Sequence, residues 1–260
     1  MNSRVGIVVP TLGTRPEYLL QCLRSIRSAG QAHILLVAPA DYNPGALIES
    51  GLIDEKVDDP RLGLSEAINA GIRALPKEVE FVNWLGDDDL LTEGSLHLSE
   101  GYLAQNPEAV MVFGACDYID SQGAVIWTNK SGPWAVPLLR FGPDLIPQPG
   151  ALFRRDAFDR VGGLKAQFNW AFDFDFFIEL SKIGKLKYLG TTLACFRWHP
   201  ESLSVEHRKM SVHEASAVRV SHLPIWLRPI SILWEYPVKQ ATLWAGIRVT
   251  QKARKTSTSK

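Results

Sequence analysis

The stretch VEFVNWLGDDDLL, from Val79 to Leu91, decides the fold. Phe81, Val82, Trp84 and Leu85 make an apolar run long enough for a buried strand and too short to cross a bilayer. Gly86 ends the run, and three consecutive carboxylates follow, Asp87, Asp88 and Asp89. On an extended segment alternate side chains point the same way, so Asp87 and Asp89 are expected on one face and Asp88 on the other. Two like charges aimed at one point repel unless a cation lies between them. Oxygen-only ligands suit a hard divalent ion, Mg2+ or Mn2+, which keeps positions open for phosphate oxygens. A solvated acidic turn at a strand end accounts for the same triplet without any metal.

Upstream, Val5 to Val9 reads as a buried strand that ends at Pro10-Thr11-Leu12-Gly13. Pro16 suits a first helical turn, and Tyr18, Leu19, Cys22, Leu23 and Ile26 recur at helical spacing, with Gly30 as the stop. Ile34 to Val37 is a second strand, Ala46 to Ser50 a short helix, Val57 a third short strand and Leu64 to Leu75 a helix. Strand alternating with helix over the first 90 residues predicts a parallel, doubly wound sheet with right-handed crossovers. Ligands of such sheets sit beyond the carboxyl ends of the strands, where Thr11 and the Asp triplet both fall. No GxGxxG or GxxxxGK[ST] occurs, which argues against a dinucleotide dehydrogenase or a P-loop enzyme.

Downstream, Ser95 to Gln105 reads as a helix, Val110 to Phe113 as a strand, and Asp120 to Gly123 as a turn into Val125 to Trp127. Residues 129–149, rich in Pro, Gly and aromatics, read as a long loop over a site. A short helix follows near Asp156 to Val161. In FNWAFDFDFFIELSKIGK (Phe168 to Lys185), Asp173 and Asp175 stand among four phenylalanines, a costly placement unless they have a task or a partner. A helix start with Asp173 near its positive end is the plainer account. Tyr188 to Phe196 reads as a strand, followed by Arg197-Trp198-His199. Trp127, Trp134 and Trp170 could stack on sugar rings or simply pack in the core.

At 260 residues and 46% hydrophobic, the chain holds one large α/β domain or two small ones. Its formal net charge of zero gives no field toward nucleic acid. The charge is uneven, with eight Lys or Arg from Arg219 onward against Glu235 alone. Cys22, Cys116 and Cys195 are widely spaced with no CxxC pair, as core thiols in a reducing compartment would be. No signal-peptide core or run of 18 apolar residues occurs, so the expected place is the cytoplasm. In the tail, Trp226, Leu227, Ile230, Leu233 and Trp234 are predicted on one helical face, with Arg228, Ser231, Glu235 and Lys239 opposite. Pro229 is acceptable only near the helix start. The apolar face either packs on protein, including a homodimer partner, or rests peripherally on the inner face of the plasma membrane.

Six segments together resemble the inverting family 2 glycosyltransferases of the GT-A, nucleotide-diphospho-sugar fold, from Val5 to about Ser204. They are IVVPTLGTRPEYLLQCLRSI, GLSEAINAGI, NWLGDDDLL, GALFRRDAFDRVGGL, FDFDFFIEL and FRWHPESLS. The departures from the family pattern are Ala38-Pro39 in place of an Asp pair, Ile68 in place of an Arg, Gly86 in place of the first acid, and Glu179 in place of an Arg.

The resemblance implies an α/β, Rossmann-like, mostly parallel central sheet flanked by helices. It divides the chain into a GT-A domain over 1–205 and a basic helical tail over 206–260. Within that domain, 1–91 would be the nucleotide-binding half and 92–205 the acceptor-binding half. It implies transfer, with inversion, of a sugar from a nucleotide-diphospho-sugar donor to a glycan or lipid-linked acceptor. Pro10, Thr11, Leu12, Asp41, Asn69, Asp87 and Asp88 would bind the donor, and Asp89, Asp87 and His199 would hold Mn2+ or Mg2+. Asp173 would be the base, and Gly150, Trp170, Asp175 and Arg197 would meet the acceptor. A catalytically inactive glycan- or nucleotide-binding protein of the same fold, or a sugar nucleotidyltransferase, is the competing expectation.

Overall fold

The computed structural model describes residues 3–198 and 207–258, the last six by backbone path alone. His199, and with it most of the FRWHPESLS segment, lies outside the described residues. The first half alternates strand and helix, as the apolar spacing predicts. It contains β1 (Val5–Pro10), α1 (Pro16–Ala29), β2 (His33–Ala38), α2 (Gly45–Glu49), β3 (Glu55–Asp58), α3 (Leu64–Ala74) and β4 (Phe81–Trp84). Pro16 opens α1, Glu17 lies in its first turn and Arg27 in its last, and Leu19, Cys22, Leu23 and Ile26 are buried.

The second half contains β5 (Leu90–Leu91), α4 (Ser95–Gln105), β6 (Ala109–Ile119), β7 (Val125–Asn129), α5 (Gly132–Leu138) and β8 (Leu152–Arg154). After these come α6 (Arg155–Val161), α7 (Phe172–Ile183), β9 (Lys185–Arg197), α8 (Arg208–His222), a 3-10 turn (Ile225–Leu227) and α9 (Ile232–Thr258). The strands form one sheet in the order β3-β2-β1-β4-β8-β6-β9-β5, with β7 paired to β6. β1, β2, β3 and β4 are mutually parallel, as are β6 and β9. β8 runs antiparallel to both β4 and β6 and joins the two halves. The sheet is therefore mostly parallel, and the parallel strands end along one edge, at Pro10, Ala38, Trp84, Ile119 and Arg197.

Alternation along β1 splits the core into two layers. Val8 faces a cluster with Ile68, Ile72, Trp84, Phe153 and Phe176, beneath α3, α6 and α7. Ile7 and Val9 face the other side, with Leu23, Ile26, Leu36 and Leu96, beneath α1 and α4. Trp84 meets Phe153 edge-on at 5.5 Å and Phe172, the first residue of α7, at 6.3 Å. That contact sets the start of α7 beside the end of β4.

Two expectations change. The loop expected over 129–149 contains α5, which accommodates Pro137 in its last turn. The tail is not one helix carrying Trp226, Leu227, Ile230, Leu233 and Trp234 on a single face. Its long helix starts only after Pro229, Ser231 and Glu235 are buried, and Trp226 (73%) and Leu233 (76%) face solvent. Buried Arg219 of α8 forks onto Glu235 at 2.8 and 2.7 Å, which turns the polar side of α9 inward. Among the described residues, no helix is long and apolar enough to cross a membrane.

Candidate active site

Beyond β4 the chain does not stay extended. Asp89 donates its N–H to the carbonyl of Gly86 at 3.1 Å, closing a tight turn around Asp87 and Asp88. Strand alternation therefore gives way, and the expected pairing of Asp87 with Asp89 is replaced by one of Asp87 with Asp88. Arg15, just past the end of β1, reaches Asp87 Oδ1 at 2.6 Å and Asp88 Oδ2 at 2.8 Å. Thr11 donates to Asp87 Oδ2 at 2.6 Å. Asp89 turns the other way and accepts the backbone N–H of Arg197 at 3.0 Å. A Cβ on Gly86 would come within 2.9 Å of Asp88 Oδ1, so a side chain there would force the Asp88 carboxylate to move.

Arg197 is 1% exposed and lies beneath this turn. Its guanidinium donates to the carbonyls of Asp88, Asp120 and Ser121 and to Gln21 Oε1, and it covers the ring of Tyr18 at 4.4 Å. An acceptor cannot reach it there. The residue expected at the acceptor is a pillar of the turn, because a buried guanidinium spends its donors on buried carbonyls.

Burial pushes the Asp87 carboxyl above its ordinary range, against the pull of Thr11 and Arg15. Asp89 is pushed well above it, by burial first and then by the charge of Asp88, with Arg197 opposing. Burial thus disfavours the charged form of these carboxyls, a cost that a divalent cation bound among them would offset. The oxygen donors fit such an ion, and Asp89, with one oxygen on Arg197, is the best placed to hold it. Asp87 has both oxygens engaged, so an ion there must displace Arg15 or share with it.

Pro10 is half-buried at the end of β1, while Leu12 and Asp41 are exposed on the same carboxyl edge. Asn69 of α3 is buried, and its amide is taken up by protein. It donates to the Leu164 carbonyl at 2.8 Å and to Glu66 at 3.1 Å, and it accepts from the Leu164 N–H at 2.9 Å. Asn69 therefore clamps the segment after α6, with its two glycines, onto α3. Gly163 within it has φ +75°, and an added Cβ would lie 2.8 Å from Asn69 Oδ1. Gly150 is buried against Leu193 and Ala194 of β9.

Asp173 sits in the first turn of α7, where its Oδ1 accepts the Phe174 N–H at 2.8 Å. Burial raises its carboxyl to about 6, with the charge of Glu214 adding to the effect and backbone N–H bonds opposing it. The side chain lines a cavity of about 200 Å³ with Asp144, Trp170, Ser211, Arg219 and Thr242. The Asp144 carboxyl is also pushed well up, by burial and then by the charge of Asp173. Helices α8 and α9 thus supply one wall of this cavity, which the sequence assigned to a separate tail. A cavity of about 220 Å³ at the opposite ends of β6 and β9, around Ala109 and Lys185, lies away from all of these carboxylates.

Asp175, expected at the acceptor, points elsewhere. It is buried and held by Lys165 at 2.9 Å and His222 Nε2 at 2.8 Å. Burial raises its carboxyl, but those two partners outweigh burial and leave it below the ordinary range. With Glu179 and His222 it forms the group of three potential metal ligands whose atoms converge within 4.8 Å among the described residues. Lys165 and Lys182 stand 2.9 and 2.8 Å from its carboxylates, so ammonium groups already supply the charge a metal would bring. That arrangement does not fit a metal site.

The sequence reading missed Arg15, Asp144 and Glu214. Only Arg15 had a signal, a cation five residues past the strand end that faces the acid triplet.

No family model matches the chain. A protein of Sinorhizobium fredii (strain NBRC 101917 / NGR234), uncharacterized protein y4gI, is 23% identical over 263 residues, covering 92% of this chain and 28% of that protein. Among solved structures, the mannosyltransferase PcManGT from Pyrobaculum calidifontis, in complex with GDP-Man and Mn2+, superposes over all of this chain and 80% of its own. Its TM-score is 0.64, at 16% identity. S. aureus TarS 1-349 in complex with UDP-GlcNAc gives a TM-score of 0.61 at 11% identity, covering 86% of this chain and 68% of that one. This chain has a glycosyltransferase fold. It spans 28% of the length of the Sinorhizobium protein and 40% of a longer TarS chain.

Proposed function

We propose that the chain is an inverting, metal-dependent glycosyltransferase of the family 2 type, moving a sugar from a nucleotide-diphospho-sugar to a hydroxyl of a glycan or lipid-linked acceptor. The observation that carries this reading is the acidic turn at the carboxyl edge of the sheet with Asp173, a buried carboxylate with a raised pKa, on the neighbouring helix. PcManGT, whose structure holds GDP-Man and Mn2+, supports a nucleotide sugar and a divalent ion as ligands. Asp89, Asp87 and His199 would hold Mn2+ or Mg2+, which when bound supplies Lewis-acid neutralisation of the leaving diphosphate. Thr11, Asp87 and Asp88, with Pro10, Leu12 and Asp41 around them, line the donor side, and Asn69 holds the glycine segment beside it. Asp173 takes the proton from the acceptor hydroxyl, and Trp170 and Gly150 border the space for that acceptor. Attack from the side of Asp173, opposite the nucleotide, inverts the anomeric centre.

A second reading, a non-catalytic binder of nucleotide sugars, is favoured by Arg15, which already neutralises Asp87 and Asp88. Titrating the protein with a panel of UDP-, GDP- and dTDP-sugars in Mn2+, by calorimetry and by nucleotide release, separates the two. Binding with slow donor hydrolysis or transfer supports the enzyme. Tight binding with no turnover leaves the binder, and no binding at all removes both.

A further inference from the structure

We infer that the outer face of the C-terminal segment is a docking surface for an anionic lipid bilayer, on which the protein lies without crossing it. Helix α9 turns Glu235, Thr242 and Val249 toward the protein. On its opposite side Leu233 and Tyr236, and about two turns further on Trp244 and Ile247, are all half or more exposed. The turn before it adds Ile225 and Trp226, 78% and 73% exposed. So many exposed apolar side chains on one segment, Trp and Tyr among them, mark a contact site, and indole and phenol rings suit the headgroup depth of a bilayer.

Charge decides the occupant. From Arg219 onward the one acid is Glu235, which is buried and already paired with Arg219. The exposed charges of this face are therefore cationic. Arg248 lies over the Trp244 ring at 3.7 Å, with exposed Lys252 one turn further along the same helix. A second copy docking through the same face would bring together two surfaces that carry cations and no exposed acid to pair with them, because a two-fold interface uses the same patch twice. Anionic headgroups complement both the cations and the aromatic rings. A helix with an outer apolar stripe, one protein-facing side and no span-length apolar window lies in the interface plane.

The consequence for chemistry rests on the function proposed above. Thr242 on the inner side of the same helix lines the Asp173 cavity, so docking would hold the helix that walls this cavity at the lipid surface, close to a lipid-linked acceptor.

The test needs no activity and is unaffected if the donor panel fails. The full chain is floated at low salt with vesicles of equal parts phosphatidylglycerol and phosphatidylcholine, and with phosphatidylcholine alone. Flotation with the anionic vesicles and its loss in high salt are expected. The exposed triple variant Trp226→Ser, Leu233→Ser, Trp244→Ser should partition at least tenfold more weakly, with an unchanged circular dichroism spectrum. Arg248→Gln and Lys252→Gln should each weaken anionic binding about fivefold. Equal flotation on the neutral vesicles, or none on the anionic ones, overturns the inference. It is also overturned if light scattering shows a dimer that the triple variant dissociates while wild type ignores vesicles.

Discussion

Glu214 of α8 accepts the backbone N–H of Trp170 at 2.6 Å. The same carboxylate also takes the N–H groups of Asn169 and Ala171, so it grips the approach to α7 where the helix has no side-chain cap of its own. A residue from the expected tail thus fixes the segment that aims Asp173.

Glu214→Gln keeps an acceptor oxygen and removes the charge that raises Asp173. The Asp173 pKa then falls, and the acid limb of the pH profile of kcat/KM moves to lower pH. A profile that only drops in height would make Glu214 a structural clamp without electrostatic effect.

Asp173 must be ionised to accept a proton, so transfer is expected to climb as pH rises through about 6. Asp173→Asn should cut transfer about 10²–10⁴-fold with donor affinity unchanged. Near wild-type transfer by this variant, followed by product chromatography, would assign the base elsewhere.

Asp89→Ala removes the best-placed oxygen for a cation and leaves the Arg197 N–H without its acceptor. Donor affinity measured by calorimetry in Mn2+ should fall to the value found in excess chelator. An affinity that still responds to Mn2+ takes the metal away from this residue.

Arg219→Met strands Glu235 in the interior, and urea unfolding at neutral pH should report a loss of about 3–5 kcal/mol. Burial raises the Glu235 carboxyl, but Arg219 and Ser216 outweigh burial and leave it below the ordinary 4.5. A lowered folded-state pKa gives stability that is present above about 4.5 and lost as pH falls through the lower value. Acid unfolding curves of wild type and Glu235→Gln should therefore converge at low pH. Curves that stay parallel would refute the linkage.

Gly162 and Gly163 give a matched pair. Both have left-handed φ, but a Cβ on Gly162 meets open space while one on Gly163 meets Asn69. Gly162→Ala should cost about 1–2 kcal/mol of unfolding free energy, the usual cost of a side chain in that conformation. Gly163→Ala should cost more. Equal losses would mean that Asn69 yields freely.

The first half of the fold is legible because β1, β2 and β4 are mainly apolar, α1 and α3 are periodic, and Gly and Pro separate them. β5 and β8 have two and three residues, too few for any period to register. α5 is hidden in a Pro- and Gly-rich stretch whose helicity comes from packing rather than propensity. The triplet was readable as chemistry but not as geometry, since nothing local announces that Asp89 bonds back to Gly86. Glu214 with Trp170, Arg219 with Glu235 and His222 with Asp175 are polar pairs distant in sequence. Glu214 and His222 tie the tail to the domain while Arg219 and Glu235 join α8 to α9, and pattern reading finds apolar faces, not such polar contacts, so it left open which way α9 turns.

The place of β8 in the sheet also bears on how the chain is made. β1 to β4 leave the ribosome first, and β4 has β1 on one side only until β8 arrives to pair with Phe81 and Val82. At about 5–20 residues per second, the roughly 70 residues between Trp84 and Leu152 take about 4–14 s to synthesise. Throughout that interval the half-sheet presents the unpaired N–H and C=O groups of an apolar strand to whatever else is nascent nearby. A nascent chain halted within that window carries an open seam, and its survival depends on a chaperone covering it before another strand does.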